Sequence, residues 1–222
     1  MKRLLFRLLI LFGIIAFGVG VFVAYKIVVE GRSSTSSIPE CAPGVICKPA
    51  IYLYPENNSV VRVKVIVNGE IIKSLPEYKN GWNIYASSSG LINGEYEYLF
   101  YEVQLNNLQL PSEGWVVKYD ALPEWFDTNL ERLGLNEKEK SQFENYWLKN
   151  LPKSEYYEIK LLSSEFLKKN MDLVINPQPD TVIRLEFSFK PLNKLEYLIE
   201  PNITTPVRKG FTVVEWGGLL DK

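Results

Sequence analysis

Histidine is absent from all 222 residues, and this removes more chemistry than any motif supplies. Without imidazole there is no Ser-His-Asp or Cys-His catalysis, no histidine general base and no histidine-containing zinc site. Cysteine is nearly absent too: Cys41 and Cys47 are the only two, and two thiolates without histidine cannot complete a structural zinc site. The chain contains no G-x-S-x-G elbow, no Walker A loop, no G-x-G-x-x-G after a strand and no Asp-rich calcium loop. These gaps lead us to expect no metal and no cofactor. Any chemistry must come from carboxylates, Lys, Tyr or a backbone oxyanion site.

A basic stripe is also missing. Residues 1–32 hold Lys2, Arg3, Arg7, Lys26 and Arg32 against Glu30, which leaves 20 basic and 25 acidic residues in the remainder. A mildly acidic body argues against nucleic acid as the partner. Apolar residues at 46%, with 13% aromatics, are enough to build a core, so the chain is not disordered by composition.

The longest apolar run is "LLILFGIIAFGVGVFVAY", 18 uncharged residues from Leu8 to Tyr25. As a helix it measures about 27 Å, close to the hydrocarbon thickness of a bilayer. Lys26 can snorkel and extend the span to Val29. Residues 1–7, with three of the basic side chains, then stay cytoplasmic, and everything beyond Lys26 is sent outside. A cleaved signal peptide normally has a shorter apolar region ending at small residues. A signal anchor over residues 8–29 is therefore favoured. Ala16, Gly20 and Ala24 fall four apart on one face of that helix and permit a weak homodimer, although Gly and Ala are common in membrane helices anyway.

Residues 30–47 read as a stalk. "EGRSSTSSIPE" is polar, Ser-rich and without periodicity. Cys41 and Cys47 follow, with the turn signal Pro43-Gly44 between them. Outside the cytoplasm they are expected to form a disulfide, a clasp stabilising by roughly 2 kcal/mol in the chain-entropy model.

Residues 48–222 read as one β-rich extracytoplasmic domain. "AIYLYP" is a strand stopped by Pro55. Val61, Val63, Val65 and Val67 alternate on one face, and Asn68-Gly69 after them predicts a hairpin. Asn80-Gly81 marks a further turn before "WNIYA", and "EYEYLFYEV" and "GWVVKY" continue the strands. The period then changes. "LPEWFDTNLERLG" predicts a helix ending at Gly134, and Asn136 with Glu139 has the spacing of an N-cap opening a second helix. This helical pair covers about residues 123–150. Strands resume at "YYEIKLL", "MDLVINP", "TVIRLEFSF", "EYLIE" and "FTVVEW". The fold class is thus α+β, mainly antiparallel and sandwich-like, with a helical-hairpin insert.

Two constellations could carry function. Glu102 shares a strand face with Tyr98 and Phe100, and Glu215 shares one with Phe211 and Val213. Carboxylates on apolar faces must be paired or raised in pKa, and Arg184 is a candidate partner for either. Two such carboxylates flanking a sugar would suit glycoside hydrolysis. The blander reading is that both are edge-of-core glutamates in ion pairs. Separately, Trp82, Tyr85 and Trp115 could stack on sugars as an aromatic binding face, though sandwich cores use the same residues.

Five strings occur in order: "KPAIYLYPE", "YEYLFYE", "LGLNEKEKSQFENYW", "NPQPDTVIRLEF" and "RKGFTVVEWGG". Together they resemble an uncharacterised family whose members open on Lys-Pro-x-Ile-Tyr-Leu-Tyr-Pro and close on Val-Glu-Trp-Gly-Gly. The resemblance covers about residues 48–217, with one departure at Tyr101, where Trp is expected before the glutamate. It implies no settled activity, so no site residue is carried over. The expectation is a single-pass membrane protein whose domain binds an envelope glycan or protein, or plays a structural part. The alternative is a carboxylate-dependent hydrolase acting on envelope glycans.

Overall fold

The computed structural model describes residues 44–221. The predicted membrane segment, the Ala16–Gly20–Ala24 stripe and Cys41 lie outside them. Among the described residues no helix is long and apolar enough to cross a membrane. Cys47 is buried and is not a free cysteine.

Among the described residues ten strands and three α-helices follow in order: β1 (Val45–Tyr54), β2 (Ser59–Val67), β3 (Gly69–Leu75), β4 (Trp82–Ala86), β5 (Leu99–Leu105), β6 (Trp115–Lys118), α1 (Leu122–Arg132), α2 (Glu137–Asn150), β7 (Tyr156–Leu161), α3 (Ser164–Asn170), β8 (Met171–Asn176), β9 (Thr181–Leu192) and β10 (Thr212–Leu220). Seven strands form one sheet in the order β3-β5-β1-β10-β9-β7-β6, and three form a second in the order β4-β2-β8. The α+β, mainly antiparallel expectation holds at this level.

Alternation explains the layers. On β2, Val61, Val63 and Val65 are buried while Arg62 and Lys64 face water. The buried valines meet Ile51, Leu53 and Val213 of the large sheet, so the two sheets stack face to face. The opposite face of the large sheet carries Tyr52, Ile183, Leu185, Phe187 and Trp216, which pack under Phe126, Phe143 and Trp147 of the helical pair. Burying an aromatic of this size stabilises by roughly 1.5–3 kcal/mol relative to leaving it exposed. α2 begins as its spacing predicts: the Asn136 side chain accepts from the Glu139 N–H, and the Glu139 carboxylate accepts in return from the Asn136 N–H.

Two expectations are corrected, and one helix is added. Asn68-Gly69 makes no hairpin, because β2 pairs with β4 and β8 while β3 pairs with β5. The chain instead turns a corner between sheets there. Glycine is needed for contact rather than turn type, since a Cβ on Gly69 would lie 2.0 Å from the Gln104 carbonyl oxygen. The "EYLIE" segment is not a strand; residues 193–211 form an irregular strap from β9 to β10. That strap makes β9 and β10 parallel neighbours. It crosses the helix-covered side, where Ile203 packs on the core and Arg208 bonds to Glu139 of α2. α3 was not foreseen, although its Ser163 cap accepting from the Phe166 N–H is an ordinary start signal.

Candidate functional site

β9 and β10 place the chemistry. Their register sets Arg184 opposite Glu215 and Glu186 opposite Gly217. By strand alternation all of these sit on the face turned toward the small sheet. β10 is covered on both sides along its whole length, as is β9 from Leu185 to Phe189, so polar side chains there are taken out of water. Glu186 and Glu215 have no exposed surface at all.

The cluster is built around Glu215. Arg184 Nε donates to Glu215 Oε2 at 2.6 Å, and Tyr101 Oη donates to Oε1 at 2.7 Å. The Tyr101 hydroxyl is held well above its ordinary pKa, by burial first and then by the Glu215 charge. Burial opposes the charge on Arg184, but Glu215, Tyr101 and Glu186 around it, Glu215 foremost, together outweigh that penalty and raise the guanidinium pKa. Glu186 is the unmatched member. Neither of its oxygens has a hydrogen-bond partner, and Arg184 Nη2 lacks one too. Burial, and then repulsion from Glu215, push the Glu186 carboxyl well above the usual range, against a smaller opposing pull from Arg184. The acid has room only because its neighbour lacks a side chain. A Cβ on Gly217 would meet Glu186 Oε2 at 2.6 Å and Pro49 Cα at 2.9 Å.

Of the predicted residues, Glu215 and Arg184 are thus brought together. Glu102 is not with them. It pairs with Lys73 at 3.6 Å, and Lys73 is half exposed. The aromatic face is not assembled either. Trp82 is buried on the small-sheet side against Tyr78, with ring centroids 4.7 Å apart. Trp115 is buried on the helix side against Trp125. Only Tyr85 faces solvent. The first two rings serve separate cores, which is where large aromatics gain most from burial.

Two members of the cluster escaped the sequence reading. Glu186 follows Arg184 by two residues and so shares its face, but that face reads as solvent unless β9 is known to be central. Tyr101 lies on the opposite face of β5 from Glu102, with Leu99 and Val103. Lys48 is a further polar anchor. At φ +59° in the β1 bulge, its Nζ donates to Tyr98 Oη at 2.7 Å and lies 4.7 Å from the Phe100 ring centroid.

Arg184 also lines a cavity of about 450 Å³, together with Leu133, Leu167, Lys168, Leu173 and Pro206. The cavity occupies a notch in the large sheet. β7 pairs with β9 only from Phe187 to Leu192, so β9 from Thr181 to Glu186 has β10 on one side and no strand on the other. Neither carboxylate of the cluster reaches the cavity wall. A reacting atom in the cavity would meet Arg184, Lys168 and the single carboxylate of Asp172 among apolar walls, not the Glu186–Glu215 pair. Among the described residues no group of His, Cys, Asp and Glu is arranged to hold a metal ion. No protein-family model, no curated protein and no solved structure matches the chain.

Proposed function

We propose that this chain is a single-pass membrane protein with a cytoplasmic N-terminus whose β-rich domain acts outside the cytoplasm as a binding or structural module of the cell envelope. One observation carries the choice of binding over hydrolysis: Asp172 is the single carboxylate that lines the cavity, while Glu186 and Glu215 lie fully buried behind Arg184. Glycoside hydrolysis needs two carboxyl groups flanking the scissile bond, and a carboxylate with no access to substrate can neither protonate nor attack. A cavity of this volume, lined by apolar residues with Ser164, Lys168, Asp172, Arg184 and Thr204 among them, falls in the size range of ordinary ligand sites.

The test is incubation of the full chain, in detergent, with fractionated envelope material. Retention of one fraction without new reducing ends is the expected result. Release of reducing ends that disappears in Glu215→Gln would instead establish the hydrolase. The topology is checked separately by protease treatment of sealed vesicles. A mature protein with a free N-terminus past Gly31 would contradict the anchor.

A further inference from the structure

We propose that the notch beside β9 is a strand-addition site, in which an extended peptide carrying a carboxylate pairs with the backbone of Val182 and Arg184. This deepens the binding reading above and rests on it. The Glu186 carbonyl accepts from the Leu162 N–H at 2.8 Å across the open side of β9. Strand alternation then turns the N–H and C=O of Val182 and Arg184 to that same side. No backbone group among the described residues pairs with them there. Unmet main-chain donors and acceptors along a sheet edge are a template for another strand.

The surroundings select what can enter. An added strand sends successive side chains to opposite faces, and both faces here offer apolar walls. Leu133 and Pro206 stand on the helix side, and Leu167 and Leu173 on the small-sheet side. The open stretch from Val182 to Leu185 spans roughly 10–13 Å at strand rise, room for three or four residues. α3 on one flank and the strap on the other recess the edge, so a single strand fits where the edge of a second folded copy would not. The cations on the wall are Lys168, which makes no ion pair among the described residues, and Arg184, which is bonded to Glu215 through Nε and keeps its Nη2 buried. Both suit a carboxylate, from an acidic side chain or a C-terminus. Asp172 on the same wall disfavours a polyanion.

The probe is a display library of linear seven-residue peptides selected on the full chain. Selected peptides are expected to slow amide exchange at Val182 and Arg184 at least tenfold. N-methylation of alternate peptide nitrogens should abolish binding in one parity and spare it in the other, because only every second N–H faces the protein. Leu173→Trp, which fills the cavity, should weaken binding at least tenfold. Peptides that bind without protecting those two amides, or that ignore the parity of methylation, overturn the proposal. So does a library from which nothing is retained. If envelope material is still retained in that case, strand addition alone has failed. If neither is retained, the binding reading has failed with it.

Discussion

Two fully buried glutamates, each paired with an arginine, hold different parts of this domain, and the pairs differ in how completely they are satisfied. Glu139 on α2 receives Arg208 through both terminal nitrogens, at 2.8 and 2.9 Å. It also accepts from the backbone and side chain of Asn136 at 2.9 and 3.0 Å. Glu215 on β10 receives Arg184 through Nε alone, and the cluster around it leaves Arg184 Nη2 and both oxygens of Glu186 unmatched. The first pair is a staple that fastens the strap to the helices. The second keeps hydrogen-bonding capacity in reserve on the sheet that bounds the cavity. A buried network with every member satisfied serves rigidity, whereas an incomplete one is costly unless something else uses it.

The comparison can be broken at its most expensive point. Arg184→Met leaves Glu215 buried without its cation, beside a second carboxyl group, and should destabilise by about 3–5 kcal/mol in urea unfolding. Arg184→Met with Glu215→Leu should recover most of that loss. A double variant no more stable than the single one would mean that the uncompensated charge is not the cause. Arg208→Ala should cost less, about 2 kcal/mol, because Asn136 still supplies donors to Glu139. Its signature is faster proteolysis within residues 193–211, and a loss equal to that of Arg184→Met would erase the distinction between the pairs.

Glu186→Gln sharpens the comparison through pH. The folded state holds the Glu186 proton more tightly than the unfolded chain does. This contribution to stability is intact below the unfolded pKa of about 4.3 and is lost as pH rises toward the raised folded value. The variant should match the wild type near pH 4 and gain on it with rising pH, by at most about tenfold in folding constant per unit. Unfolding curves at several pH values read this directly, and a constant difference across that range would count against the buried acid. The smallest effect belongs to the discarded candidate. Lys73→Ala should change stability by less than about 0.5 kcal/mol, since the Lys73 ammonium it removes is half exposed, 3.6 Å from Glu102 and screened.

Local signals were legible where the chain acts alone. The capping box at Asn136 and Glu139 and the stop at Gly134 place both long helices. The valines of β2 declare which of its faces is buried. Asn68-Gly69 misleads for a stated reason: its turn chemistry is real, but the two strands it joins belong to different sheets. Glu215 and Arg184 were readable as charged residues near apolar faces, whereas Glu186 was not. An Arg-x-Glu face on an alternating strand looks solvent-exposed until both sides are known to be covered.

Composition and pattern by themselves determined the chemistry this protein cannot do, the apolar N-terminal run and the α+β character of the rest. Those properties follow from residue counts and from periods of 2 and 3.6, which depend only on the local chain. The tertiary structure alone decided that β9 and β10 run parallel, that Arg184 meets Glu215 across them with Glu186 beside, and that β9 keeps an open edge where β7 stops. Each of these depends on which strand lies next to which, and pairing between distant segments is set by packing over the whole domain rather than by any short stretch of sequence.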